Sequence, residues 1–278
     1  PLMPHPKKFH EAYCDLKFNG YGWEADGEPP RAFTELKDFC DMLVLKRSYA
    51  ECWGKNAPPK PREFKWIDVE DWESIAMLPP HKQVLEVFKA KLPFMVEGVM
   101  EEMEAGNSTT FWTTQRLTAE MAAEAFEEAF DDRDFRSLKR KFGATIFATH
   151  GEAHSDTRCK LAQEYREHVA SGKTALWVAT MDSLPEAESL KGAISSHWGG
   201  LHELAGTQFQ AENRVYGPWL RVCPQVYYLG TKTYEVKQVD KSTRQFSRLE
   251  RLASEKDAGD LVRAYMAQEK EEETIEQY

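Results

Sequence analysis

The residues with most chemistry to offer are grouped in His150-Gly151-Glu152-Ala153-His154-Ser155-Asp156. Neutral imidazoles and carboxylates are metal ligands, and several alternate here within one short run. In extended backbone His150, Glu152, His154 and Asp156 would project from one side. The run is not the H-E-x-x-H of a helical zinc site, because Glu152 lies between the histidines and Gly151 weakens any helix carrying both. Read as structure alone, it is a polar loop leading into a helix capped at Ser155 or Asp156. His197, His202 and Glu203 flank Gly199-Gly200 and could complete a metal site if folding brought the two stretches together. A metal held by His150, Glu152 and His154 is therefore one possibility to test.

Other chemistry finds less support. There is no G-x-S-x-G, and no cysteine stands in a recognisable reactive context. The phosphate-binding runs G-x-G-x-x-G and G-x-x-x-x-G-K-[ST] are both missing. Acidic pairs such as Asp131-Asp132 and Glu101-Glu102 are what an acidic chain places on wet faces. No catalytic residue and no cofactor is expected on these grounds.

The chain has 278 residues and a formal net charge of -10. That balance argues against direct nucleic-acid binding, which needs a positive footprint. Fifteen Phe and eight Trp indicate a real core, or interfaces, rather than a disordered chain. Cys14, Cys40, Cys52, Cys159 and Cys223 are widely spaced with no C-x-x-C pair, a pattern of reduced thiols rather than a disulfide framework. No stretch reaches the roughly 18–20 apolar residues needed to cross a bilayer. The start Pro1-Leu2-Met3 fits removal of an organellar leader.

These groups need elements to position them, and the pattern predicts mostly helices. Residues 1–61 read as an extended arm, dense in Pro and Gly and interleaved with Phe9, Tyr13, Phe18, Tyr21 and Trp23, plus one helix from Ala32. Asp68 is a plausible cap for a short helix with Val69, Trp72 and Ile75. Pro79-Pro80 closes that helix and opens the next. The second helix buries Val84, Leu85, Val87, Phe88 and Leu92, and Pro93 should kink or restart it. Val96, Val99, Met100 and Met103 then continue the stripe to Gly106, the methionines as core filler.

Ser108 to Thr114 reads as a polar turn. Thr118 then caps a helix facing inward with Ala122, Ala125, Phe126, Ala129 and Phe130. Lys139, Arg140 and Lys141 before Gly143 suit a helix end. Further helices are expected over Ser155–Ala170 and from Pro185 through Trp198. Val226–Leu229 and Thr233–Val236 read as a hairpin turning at Gly230-Thr231. Leu249, Leu252, Leu261 and Tyr265 belong to a last helical region ending in the acidic run at 269–273.

The expected fold is mainly α: elongated amphipathic helices, an extended N-terminal arm and one small β-hairpin near 226–236. The expected divisions are 1–61 as the arm, 62–143 as a helical core, and 144–278 as a helical extension with an acidic tail.

Asp71-Trp72, Ile75, Met77-Leu78-Pro79 and Phe88-Lys89 resemble the N-terminal part of mitochondrial ATP synthase peripheral-stalk subunit d. Asp134-Phe135-Arg136-Ser137-Leu138-Lys139 is similar to the second Asp-aromatic opening of that family. The match runs over about 67–142, although Glu70 stands where the family has Ile. The resemblance implies a non-catalytic structural subunit of the stator, not an enzyme, on the matrix side of the mitochondrial inner membrane. Its implied partners are the other stalk helices, with no transmembrane helix of its own. The implied partner-facing residues are Asp71, Trp72, Ile75, Phe88, Asp134, Phe135 and Leu138. Two alternatives stand beside it: an accessory subunit of a respiratory complex or mitoribosome, and a metal-dependent enzyme using His150–Asp156.

Overall fold

Thr109–Thr113, Ala175–Thr180 and Ser195–Trp198 are short runs in which every residue is buried. Burial on both faces is the condition of a strand inside a parallel sheet. These runs form the centre of the fold.

The computed structural model describes residues 16–18, 23–25, 54–131, 136–150, 153–183, 189–203, 205–241 and 243. The chain divides into two compact units, one of Pro1–Cys52 with Glu250–Tyr278 and one of Trp53–Leu249. In the first, β1 (Leu16–Phe18) and β2 (Trp23–Ala25) pair antiparallel, with Phe18 opposite Trp23. The helix expected from Ala32, the last helical region and the acidic tail lie outside the described residues.

The second unit begins at β3 (Arg62–Asp68), followed by α1 (Trp72–Ala76), α2 (Pro80–Glu104), β4 (Thr109–Thr113) and α3 (Arg116–Asp131). Then come α4 (Arg136–Phe142), β5 (Thr145–Thr149), α5 (Ser155–Ala170), β6 (Ala175–Thr180) and β7 (Ser195–Trp198). The unit closes with α6 (Ala205–Glu212) and β8 (Gln225–Thr231), after which the chain is helical again at 234–241. The six strands lie in the order β3-β8-β7-β4-β6-β5, and every pair is parallel.

Side chains alternate across this sheet and make two cores. Phe111, Leu176, Val178, Val226 and Tyr228 meet Phe88, Met95, Val99 and Met103 of α2 and Phe126 and Phe130 of α3. On the other face Trp112, Trp177, Trp198 and Tyr227 meet Tyr165 of α5 and Ala211 of α6. Connections running one way across the sheet, from β3 to β4 and β4 to β5, carry helices on the first face. Those returning, β5 to β6 and β7 to β8, carry them on the second. One crossover hand throughout gives this doubly wound arrangement.

The mainly α expectation is therefore overturned: the unit is α/β around a six-stranded parallel sheet. The run from Ser108 is strand β4, not a turn, and Trp198 ends strand β7, not a helix. Half of the expected hairpin is strand β8, but its other half opens the helix at 234. Asp68 ends β3, and Asp71 precedes α1 in left-handed backbone at φ 55 with no side-chain cap. The helix from Pro80 continues through Pro93 without restarting. Residues Ser155–Ala170 do form one helix, and Gly106, Gly143 and Gly172 follow helices at positive φ. Among the described residues no helix is long and apolar enough to cross a membrane.

Candidate functional site

In open α/β sheets ligands bind outside the carboxyl ends of the strands, where neighbouring strands send their chains in opposite directions. Here that point lies between β4 and β7. They are neighbours, yet β4 leads toward the β5 edge and β7 toward the β3 edge. A cleft of about 240 Å³ opens there. Thr114 and Gln115, which follow β4, line it with Gly199 to Glu203, which follow β7. Val84, Phe88 and Lys91 of α2 form one wall, and Tyr234, Glu235 and Gln238 another.

The floor is a fully buried ion pair. Lys91 Nζ donates to Glu235 Oε1 at 2.7 Å and Oε2 at 2.9 Å, to Gly199 O at 2.8 Å and to Tyr228 O at 2.9 Å. Burial lowers the Lys91 pKa, against the opposing pull of Glu235. Glu235 also accepts from Gly230 N at 2.7 Å, and the Thr233 hydroxyl accepts from Glu235 N at 3.2 Å as the helix begins. One lysine thus fastens α2 to the middle of β8, to the residue that follows β7 and to the helix at 234–241.

Gly199 permits the close approach this needs, since a Cβ there would lie 2.7 Å from the Phe88 ring. Above the floor, the side chains of Thr114, Gln115, Glu203 and Gln238 have no hydrogen-bond partner among the described residues. At the rim His202 Nε2 lies 3.4 Å from Asp182 Oδ2, and His202 N donates to Gln208 Oε1 at 2.8 Å.

Behind the rim a second polar cluster closes the sheet edge. Glu212 of α6 accepts from Arg62 Nε and NH2, both at 3.0 Å, and pairs with Lys60 at 2.8 Å. The Tyr227 hydroxyl donates to the same carboxylate. Burial pushes the Glu212 carboxyl up, but the Arg62 and Lys60 contacts outweigh it and leave the pKa lowered.

Of the candidate metal ligands singled out in the sequence, His202 and Glu203 both line the cleft, and the others among the described residues lie elsewhere. His150 follows β5, with its Nδ1 buried and without a partner. His154 caps α5, its Nδ1 accepting from Asp156 N at 3.3 Å, while its side chain is 78% exposed. Glu152 lies outside the described residues. His197 is buried beneath α2, its Nδ1 3.0 Å from the Tyr228 hydroxyl. Among the described residues no group of three or more His, Cys, Asp or Glu could hold a metal ion. Burial pushes the Cys223 thiol up to about 11, away from nucleophilic use.

Of the residues implied as partner-facing, Phe88 is buried and lines the cleft, and Leu138 is in the core. Asp71 is exposed, Ile75 is half-buried, and Trp72 lies 6.3 Å from Tyr234, ring to ring. Asp134 and Phe135 lie outside the described residues.

None of the cleft residues Lys91, Thr114, Gln115, Tyr234, Glu235 and Gln238 was read in the sequence as a site residue. Lys91 alone left a trace: it sits among Val87, Phe88 and Met95 on the buried stripe of α2, where a lysine needs a reason. Gly199-Gly200 was visible only as a break.

No family model and no curated protein matches this chain. A solved structure similar in part is the C-terminal part of the Fun30 ATPase domain. It is 8% identical, with a TM-score of 0.45 over 66% of this chain and 89% of that one. A six-stranded parallel sheet has no place in the elongated helical subunit implied at Asp71-Trp72, so the subunit d resemblance does not hold. The non-catalytic stalk function falls with it, and nothing in the fold adds support to the accessory-subunit alternative. The metal reading on His150, Glu152 and His154 rests in part on Glu152, which lies outside the described residues.

Proposed function

We propose that the Trp53–Leu249 unit binds a small polar molecule in the cleft between the ends of β4 and β7. The observation that carries this is the coincidence of the cleft with the switch point of a doubly wound sheet. Its composition agrees: apolar walls from Val84, Phe88, Leu201 and Tyr234, with a few uncommitted polar groups converging above them.

The charge of the lining narrows the ligand. Lys91 is neutralised by Glu235, and Glu203 adds a carboxylate at the mouth with no cation paired to it among the described residues. Neither a glycine-rich phosphate loop nor a free cation of the lining is available for a phosphate. The Gln115 and Gln238 amides can each donate and accept, and Tyr234 offers a ring face. An uncharged, flat, hydrogen-bonding compound of about nucleoside size fits best.

Isothermal titration of the full chain with a panel of nucleosides, their mono- and triphosphates, and aliphatic amines tests this. At least one nucleoside should bind, more tightly than its phosphates, and Gln115→Ala or Gln238→Ala should weaken it about tenfold without unfolding the protein. Binding by none of the panel, or binding untouched by both substitutions, would overturn the proposal.

A further inference from the structure

Four rings stand in one row across the face of the sheet away from α2. Trp112 of β4 is the register partner of Trp198 of β7, Trp198 of Tyr227 of β8, and Tyr227 of Phe64 of β3. Their centroids follow one another at 5.8, 5.5 and 5.3 Å. The first three rings are fully buried, whereas Phe64 is 37% exposed. Trp66, on the same face of β3, is 45% exposed. The row ends at a sheet edge, because among the described residues no strand pairs with the outer side of β3. Such an edge presents unpaired N–H and C=O groups to an incoming strand.

The sequence Arg62-Glu63-Phe64-Lys65-Trp66 is complementary to its own reverse. We propose that β3 is a self-association edge, pairing antiparallel with β3 of a second copy of this chain about a two-fold axis at Phe64. That register sets Phe64 against its own copy and continues the row of rings into the second sheet. Glu63 of each copy then faces Lys65 of the other, on the α2 side of the sheet. Trp66 of each faces Arg62, whose guanidinium is already held by Glu212. Centring on Glu63 or on Lys65 instead opposes like charges directly, which is unfavourable. Among registers centred on residues 62–66, only the one at Phe64 sets opposite charges of the strand face to face without also opposing like ones. A two-fold axis perpendicular to the sheet keeps the exposed rings of both copies on one face, as an isologous contact requires.

Sedimentation equilibrium of the full chain over a concentration series tests the proposal. The wild type should show a monomer–dimer equilibrium. Glu63→Lys alone and Lys65→Glu alone each turn two attractive contacts repulsive and should weaken the dimer by about tenfold or more. The double reversal E63K/K65E restores opposite charges across the axis and should restore the dimer, which also shows that neither change acts by unfolding. A monomer at every concentration overturns the proposal. So does a dimer that neither single reversal weakens, which would place the contact on another surface.

Discussion

Two buried residues carry opposite electrostatic costs. Lys91 is 1% exposed and survives in the core because Glu235 and two carbonyls take its donors. Lys91→Met leaves the Glu235 carboxylate buried with only Gly230 N–H to hold it, at a cost of about 3–5 kcal/mol. K91M/E235Q removes the stranded charge as well, so chemical denaturation should show it losing less than the two single losses added together. Strict additivity would mean that the pair is not a unit. His197 has the contrary problem. Burial, and behind it the Lys65 ammonium, hold its pKa at about 3 rather than 6.5. Between those values the unfolded chain binds the proton and the folded one does not. Stability therefore falls as pH falls through that window, by up to about 1.4 kcal/mol per pH unit from this group. His197→Gln should flatten the acid side of the stability–pH curve, measured by urea midpoints. Curves of equal steepness would show that the buried ring accepts its proton freely.

At the scale of elements, α2 meets β8 where the helix has no side chain. A Cβ on Gly98 would overlap the Tyr228 hydroxyl. Gly98→Ala adds about 1 kcal/mol of helix propensity, yet forcing the contact apart costs more, and a net loss of about 1–2 kcal/mol is expected. In a Tyr228→Phe background the hydroxyl is gone and only the ring carbon Cζ, 3.2 Å from the added Cβ, must give by a few tenths of an ångström, so the alanine should cost clearly less by thermal unfolding. A loss of equal size in both backgrounds would show that the helix shifts rather than resists. The helices were the legible part of the sequence because their faces alternate with solvent: α5 was bounded correctly, and the Phe126 and Phe130 face of α3 was read from its spacing. The central strands carry no such alternation. Thr109 and Thr110 were read as a turn and Ser195 and Ser196 as helix, yet all four are buried and bond to one another across β4 and β7, as Thr110 Oγ1 does to Ser196 Oγ at 2.9 Å. Hydroxyls that satisfy each other between strands remove the polar signal by which a turn is told from a core. The cleft was hidden for a related reason. Its residues come from the ends of four elements, and only the parallel sheet, itself unread, brings Thr114, Gly199 and Glu235 together.

At the scale of the whole unit, the first strand of the sheet is also its edge, and it pairs with the last. β3 lies beside β8 over its full length, from Arg62 opposite Gln225 to Asp68 opposite Thr231. A contact so distant along the chain pays its loop-closure entropy before it returns any pairing energy. Glu212 is the fastening, joining Lys60 and Arg62 near the start of this unit to α6 and Tyr227 near its end. Its carboxylate is fully buried, while Lys60 and Arg62 are 13% and 19% exposed and can recover some water if it is lost. Glu212→Gln is therefore expected to cost about 2–3 kcal/mol, less than stranding a charge at full depth. If β3 belongs to one cooperative unit with the rest of the sheet, the urea midpoint should fall at constant m-value. Hydrogen exchange separates the alternative: amides of β3 that lose protection while β4 and β6 keep theirs would show the edge strand peeling away alone.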